Sequence, residues 1–356
     1  MVFAKGAGRG QASMRLRIPT HLFRATAAVA AVIGLAAASP ARADEARRLP
    51  TFTSDVDVVN LNVSVTDGRD RYVTGLAAGD FEIFEDGVRQ QLCLFTQERL
   101  PISLAVMVDS SLSMQNNLPA VKTAALRLLR VLRPGDKAEV IQFNHKFAVL
   151  QDFTDDMGLL ESAVRGIRAD GATGLYNALY VTLKDPRFRR QSEELTRQAI
   201  VILSDGEDTS SLVSDDQVLQ IARKGEVTVS AINLRPPRPL TLDTEAPDLA
   251  AFFLTSLARE TGGRAYFPTA LGQLDGVYDK IADELRTQYA LGYVSSNPQR
   301  DGKWRHIAIS TTQGSLLLRH RLGYYAGGLR ALQARGAGPA ASAPKAATLP
   351  RRTQTQ

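Results

Sequence analysis

The chain has 356 residues, 44% of them hydrophobic, with 43 Lys and Arg, 37 Asp and Glu and a single cysteine. Length and apolar content suffice for two packed domains, and a lone Cys93 excludes both an intrachain disulfide and a thiolate metal site within one chain. The basic excess sits at the ends: residues 1–43 and 327–356 hold six and five basic groups and no acid, leaving 32 basic against 37 acidic residues between them, a balance that argues against nucleic acid as a partner.

In chain order, residues 1–43 read as a secretory signal peptide. Lys5, Arg9, Arg15, Arg17 and Arg24 lead into an apolar stretch at 25–38, and Ala41-Arg42-Ala43 offers a small-residue cleavage site before Asp44. The apolar stretch is short for a bilayer span, so the mature chain is expected to be exported, to the periplasm or outside the cell, with no membrane span; an uncleaved anchor helix is the alternative. Residues 44–99 carry β strands. Val59, Leu61, Val63 and Val65 alternate with their neighbours, and the run 81–84 leads through Asp86-Gly87 into Val88, Gln90, Leu92 and Leu94, a hairpin pattern. Cys93, on the face opposite Leu92 and Leu94, is expected to be a half-buried structural thiol.

Residues 100–287 alternate strands with helices. The run 102–108 is apolar at nearly every position, as in a strand covered on both faces. Leu118, Val121, Ala125, Leu128, Leu129 and Leu132 share one helical face. Strands are predicted at 138–143, 147–150, 199–203, 227–234 and 264–267, and helices at 157–167, 175–183, 218–223, 249–260 and 271–285. The predicted fold class is therefore α/β, a doubly wound and mainly parallel sheet with helices on both faces. Residues 288–326 return to strands, with turns at Asn297-Pro298 and Asp301-Gly302. Neither flank is large enough for an all-β domain of its own, so 44–99 and 288–326 are expected to pair as a β-sandwich around the inserted α/β domain; the alternative is that each flank extends an edge of the central sheet. The tail 327–356, rich in Ala, Pro and Gly, reads as disordered.

The chemistry lies just after the buried strands. Asp109, Ser111 and Ser113 form an Asp-x-Ser-x-Ser motif behind 102–108, Thr173 sits in Gly171-Ala172-Thr173-Gly174, and Asp205 opens Asp205-Gly206-Glu207-Asp208 behind 199–203. Ligands of open α/β sheets gather at the carboxyl ends of strands, and five oxygen donors from three loops suit a hard divalent cation. Taken singly, each residue has a plainer reading: Asp109 and Thr173 as helix caps, Ser111, Ser113 and Asp205 as turn residues.

Taken together, these segments resemble the metal ion-dependent adhesion site of von Willebrand factor type A domains, and the resemblance extends over residues 100–290. It implies a Rossmann-like fold and a Mg²⁺, with Mn²⁺ or Ca²⁺ as alternatives, bound directly by Ser111 and Ser113, directly or through water by Thr173, and through bridging water by Asp109 and Asp205. Such a cation keeps positive charge at its open vertex, where an Asp or Glu of a partner protein completes the octahedron. The expected function is metal-dependent protein recognition or adhesion without catalysis, as in secreted bacterial members of that family. Two rivals remain: an envelope scaffold subunit with the metal as a folding staple, and a metal-assisted hydrolase with Glu207 or Asp208 as base. His145, His306 and His320 lack paired zinc-ligand spacing, and no nucleophile elbow, phosphate loop or dinucleotide glycine pattern occurs.

Overall fold

A computed structural model of the chain describes residues 58–98, 100–186, 196–235 and 248–327. The signal peptide read at 1–43 and the tail beyond 327 lie outside the described residues. Among the described residues, no helix is long and apolar enough to cross a membrane.

Four strands precede the α/β region: β1 (Val58–Thr66), β2 (Phe81–Glu85), β3 (Val88–Gln90) and β4 (Leu92–Thr96). The α/β region contributes β5 (Ile102–Asp109), β6 (Lys137–Phe143), β7 (Phe147–Thr154), β8 (Arg197–Ser204), β9 (Thr228–Asn233) and β10 (Ala265–Tyr266). Four more strands follow: β11 (Tyr289–Val294), β12 (Trp304–Thr311), β13 (Leu317–Arg319) and β14 (Gly323–Tyr325).

The central sheet has the order β10-β9-β8-β5-β6-β7. Its pairings are parallel except that of β6 with β7, which is antiparallel. β5 is buried at every position because both of its faces are covered. Leu104, Val106 and Val108 pack under α1 (Leu118–Arg130), α2 (Met157–Gly166) and α6 (Leu274–Thr287). Ala105 and Met107 face the opposite core, under α3 (Leu175–Lys184), α4 (Asp215–Lys224) and α5 (Leu249–Thr261). The strand's two-residue alternation thus feeds two apolar cores, as a doubly wound sheet requires.

The flanks do not extend the central sheet. They form two four-stranded sheets, β13-β1-β11-β4 and β14-β12-β2-β3, each drawing strands from both ends of the chain. Val59, Leu61, Val63, Val65, Leu291 and Tyr293 from the first sheet share one core with Phe81, Ile83, Ile307 and Tyr324 from the second, so the two sheets pack face to face. A buried carboxylate bridges them: Glu85 accepts hydrogen bonds from the Tyr293 hydroxyl at 2.8 Å, the Tyr324 hydroxyl at 2.9 Å and the Ser295 hydroxyl at 2.6 Å.

Two details depart from expectation. The run 88–96 is two strands, since β3 pairs with β2 and β4 with β11; the chain changes sheets at Gln91 without interrupting the alternation. Cys93 is exposed, not half-buried. The register of β4 on β11 passes from Leu94 opposite Gly292 to Leu92 opposite Tyr293. That bulge skips Cys93 and turns it outward while Leu92 and Phe95 both reach the core.

The sandwich is tied to the α/β region through α6. Glu284 accepts from the Ser64 hydroxyl of β1 at 2.8 Å and from the Arg319 guanidinium of β13 at 2.8 Å. This contact explains why Ser64, on the face of β1 that points away from the sandwich core, is buried. At the same C-terminal end of α6, the buried Arg197 at the start of β8 donates to the carbonyls of Leu285 at 3.1 Å and Gln288 at 2.6 Å, satisfying groups that a helix end leaves open.

Candidate functional site

β5 and β8 are adjacent and parallel, with Val108 opposite Leu203, so Asp109 and Ser204 end the two strands side by side and Asp205 follows at once. Asp109 is fully buried. Its Oδ1 accepts the Ser111 amide at 2.9 Å and its Oδ2 the Ser204 hydroxyl at 2.6 Å, while the same Ser204 oxygen accepts the Gly206 amide at 3.0 Å. Burial pushes the Asp109 carboxyl up to about 6, against the bonds from Ser204 and Ser111; the negative charge of Asp205 adds to the rise.

Three loops meet at this crest and are bonded pairwise. The first joins the second where Asp170 N–H donates to the Ser110 carbonyl at 2.8 Å and Leu112 N–H to the Gly171 carbonyl at 3.0 Å. The second joins the third where the Thr173 carbonyl accepts the amides of Thr209 and Ser210, each at 2.9 Å. The first and third close through Asp109 and Ser204. Asp109, Ser111 and Ser113 are linked in one chain of contacts, and Asp205 lies close enough to act on Asp109. Thr173 enters through its backbone, with its amide donating to the Thr209 hydroxyl at 3.1 Å.

The helix-cap readings fail here. No side-chain bond caps α1, and the N-cap position of α3 is Gly174, not Thr173. The first turn of α3 is capped from the third loop instead: Asp208 accepts the Tyr176 amide at 2.8 Å and the Ser211 hydroxyl at 2.6 Å, and Ser211 accepts the Asn177 amide at 2.9 Å. Asp208 is therefore a structural acid placed at the positive end of a helix. Glu207 is ion-paired with Arg235.

Ser204 and Ser110 were not singled out by the sequence. Ser110 is buried, donates to the Phe143 carbonyl at 3.1 Å and accepts from the Asn144 side chain at 3.2 Å, which anchors the first loop to the end of β6. Ser204 had one visible signal, a hydroxyl directly before Asp205 at the end of an apolar run.

Among the described residues no three His, Cys, Asp or Glu side chains gather to hold a metal; the expected donors are two carboxylates and three hydroxyls, of which Asp109, Ser111 and Ser113 are joined by direct hydrogen bonds. That set fits a hard cation in two respects. The hydroxyl oxygens of Ser111 and Ser113 lie 2.9 Å apart, close to the ~3.0 Å between neighbouring vertices of an octahedron with metal–oxygen bonds of about 2.1 Å. Asp109 already holds one donor on each oxygen, which suits a carboxylate standing behind water.

Residues 104–207 match the family model for the von Willebrand factor type A domain, a span that contains all five candidate residues. The chain is 25% identical over 247 residues to inter-alpha-trypsin inhibitor heavy chain H1 of Bos taurus, covering 62% of this chain and 26% of that protein. It is 29% identical over 113 residues to a protein of Synechocystis described as uncharacterized, covering 31% and 26%. It thus spans about a quarter of the length of the curated relatives it matches. Similar solved structures include a von Willebrand factor type A protein from Catenulispora acidiphila, at 11% identity and TM-score 0.45, covering 77% of this chain and 74% of that one. Another is the vWF domain of the type V pili tip protein Mfa5 from Porphyromonas gingivalis, at 14% identity and TM-score 0.41, covering 52% and 95%. The central sheet and helices of this chain have the von Willebrand factor type A fold, with the flanking strands forming additional sheets beside it.

Proposed function

We propose that the crest of the central sheet holds a Mg²⁺ and, through it, the carboxylate of a partner protein, so that the chain acts as an exported, metal-dependent recognition module. Ser111 and Ser113 bind the ion directly, Thr173 directly or through water, and Asp109 and Asp205 through water. The observation that carries this reading is the buried Asp109 beside Asp205: a fully covered carboxylate is raised by burial and by a second acid, and a cation would stabilise its charged form. Protein binding is also the usual work of the domain type matched by residues 104–207.

The rival readings draw less support. A folding staple would be needed most where the loops lacked other ties, and here they are joined by direct hydrogen bonds. A metal-assisted hydrolase needs a general base, yet Asp208 caps α3 and Glu207 pairs with Arg235. The test is calorimetric titration with Mg²⁺, together with capture from an envelope extract in Mg²⁺ and in chelator. Asp109→Ala is expected to lose both the ion and the captured partner. Retention of the partner by that variant rejects the mechanism.

A further inference from the structure

The turn between β6 and β7 touches two of the three crest loops through one buried residue, Asn144. Its side-chain amide donates to Ser110 Oγ at 3.2 Å and its Oδ1 accepts the Lys146 amide at 2.8 Å. Its own N–H donates to the Lys146 carbonyl at 2.9 Å, and its carbonyl accepts the Gly174 amide at 2.9 Å. The Ser110 hydroxyl spends its proton on the Phe143 carbonyl at 3.1 Å, so toward Asn144 it can only accept, and the asparagine amide supplies the donor. The approach of the second loop is close. A Cβ on Gly174 would stand 2.8 Å from the Asn144 carbonyl oxygen, so a glycine is needed there.

We propose that Asn144 is a positioning residue for the cation site: it holds the Thr173 end of the second loop at a fixed distance from the Ser111 and Ser113 loop before any ion binds. This rests on the metal-dependent reading above. Ser110 precedes Ser111, and Gly174 follows Thr173, so Asn144 grips both loops one residue away from an expected ligand. The direct bonds of Asp170 and Gly171 to the first loop lie at the other end of the second loop and leave the Thr173 end to Asn144 and the third loop. The two side-chain bonds of Asn144 aim the carbonyl that Gly174 uses. Ligands held in place beforehand spare the ion the ordering of its own loops, which strengthens binding.

The test follows amide hydrogen exchange at Gly174 in the full chain, with and without Mg²⁺, beside calorimetric Mg²⁺ titration. In the parent the Gly174 amide is expected to be protected without metal, and Mg²⁺ should add little. Asn144→Ala should lose that protection without metal, regain it in saturating Mg²⁺ and bind the ion about tenfold more weakly. Asn144→Ser, whose hydroxyl still accepts the Lys146 amide but is too short to reach Ser110 as well, should show the same pattern in smaller measure. Glu284→Ala, destabilised from the sandwich side, should keep the parent's Mg²⁺ affinity. Parent-like affinity in both Asn144 variants overturns the positioning role and leaves the metal reading standing. Protection lost in Asn144→Ala and not restored by Mg²⁺ makes Asn144 a structural residue only and overturns the role as well. If the parent takes up no Mg²⁺, the metal reading and the positioning role fall together.

Discussion

The Ser204 hydroxyl donates to Asp109 Oδ2 at 2.6 Å, joining the last residues of two neighbouring parallel strands at the point where the candidate metal site begins. Ser204 also takes the Gly206 amide, so one small side chain sets both the orientation of the buried carboxylate and the path of the loop that carries Asp205.

Replacing Ser204 with Ala removes that donor and leaves a buried carboxylate oxygen unsatisfied, which costs about 1–3 kcal/mol. Urea unfolding is expected to show this loss, with Mg²⁺ affinity falling in parallel as Asp109 is freed to rotate. Unchanged stability would mean that the bond contributes nothing net.

The acidity of Asp109 gives a pH signature. Its folded value, about 6, lies above its ordinary 3.8, so the folded metal-free chain holds the proton more tightly than the unfolded one. The associated stability is fully present below about pH 4 and is lost as pH rises through about 6, an effect of about 3 kcal/mol for two units. Melting temperatures of parent and Asp109→Asn, followed from pH 4 to 7.5 without metal, are expected to diverge over that window. Mg²⁺ should restore the parent at pH 7.5, and its affinity should weaken as the solution is acidified below about pH 6.

Gly206 adopts φ +79°, and a Cβ there would meet the Ala250 methyl at 3.0 Å and the Leu254 side chain at 3.2 Å. Gly206→Ala is expected to cost about 1–3 kcal/mol and to shift Asp205, lowering Mg²⁺ affinity more than a stability loss of that size would by itself. Calorimetry on the folded variant separates the two effects.

Glu284 is a buried acid that joins α6 to Ser64 and Arg319 of the sandwich. Glu284→Ala strands a partly buried guanidinium and is expected to destabilise by about 3–5 kcal/mol. Denaturation followed at the sandwich residue Trp304 and by backbone dichroism should shift together, because the contact spans both layers.

Much of this was readable beforehand. The uniform apolarity of 102–108 announced a doubly covered strand, and the alternation through Val59, Leu61, Val63 and Val65 announced a sandwich face. The sheet change at Gln91 left no mark, because a strand that swaps partners keeps its period of two. The bulge at Cys93 was hidden for a related reason: a skipped register depends on the opposing strand, not on local sequence. Three-residue β14 is too short to carry a pattern. At the site, the sequence offered the oxygen-rich loops but not their division of labour. Asp208 and Asp205 look alike in one acidic turn, and only the approach of α3 makes Asp208 a cap and leaves Asp205 beside Asp109.

The most direct test is anomalous diffraction from crystals of the protein grown in Mn²⁺. One peak is expected at the sheet crest, about 2.1–2.2 Å from the hydroxyl oxygens of both Ser111 and Ser113 and absent from Asp109→Ala crystals. A crest without metal at saturating Mn²⁺, or a peak confined to other surface acids, would contradict the metal-centred account.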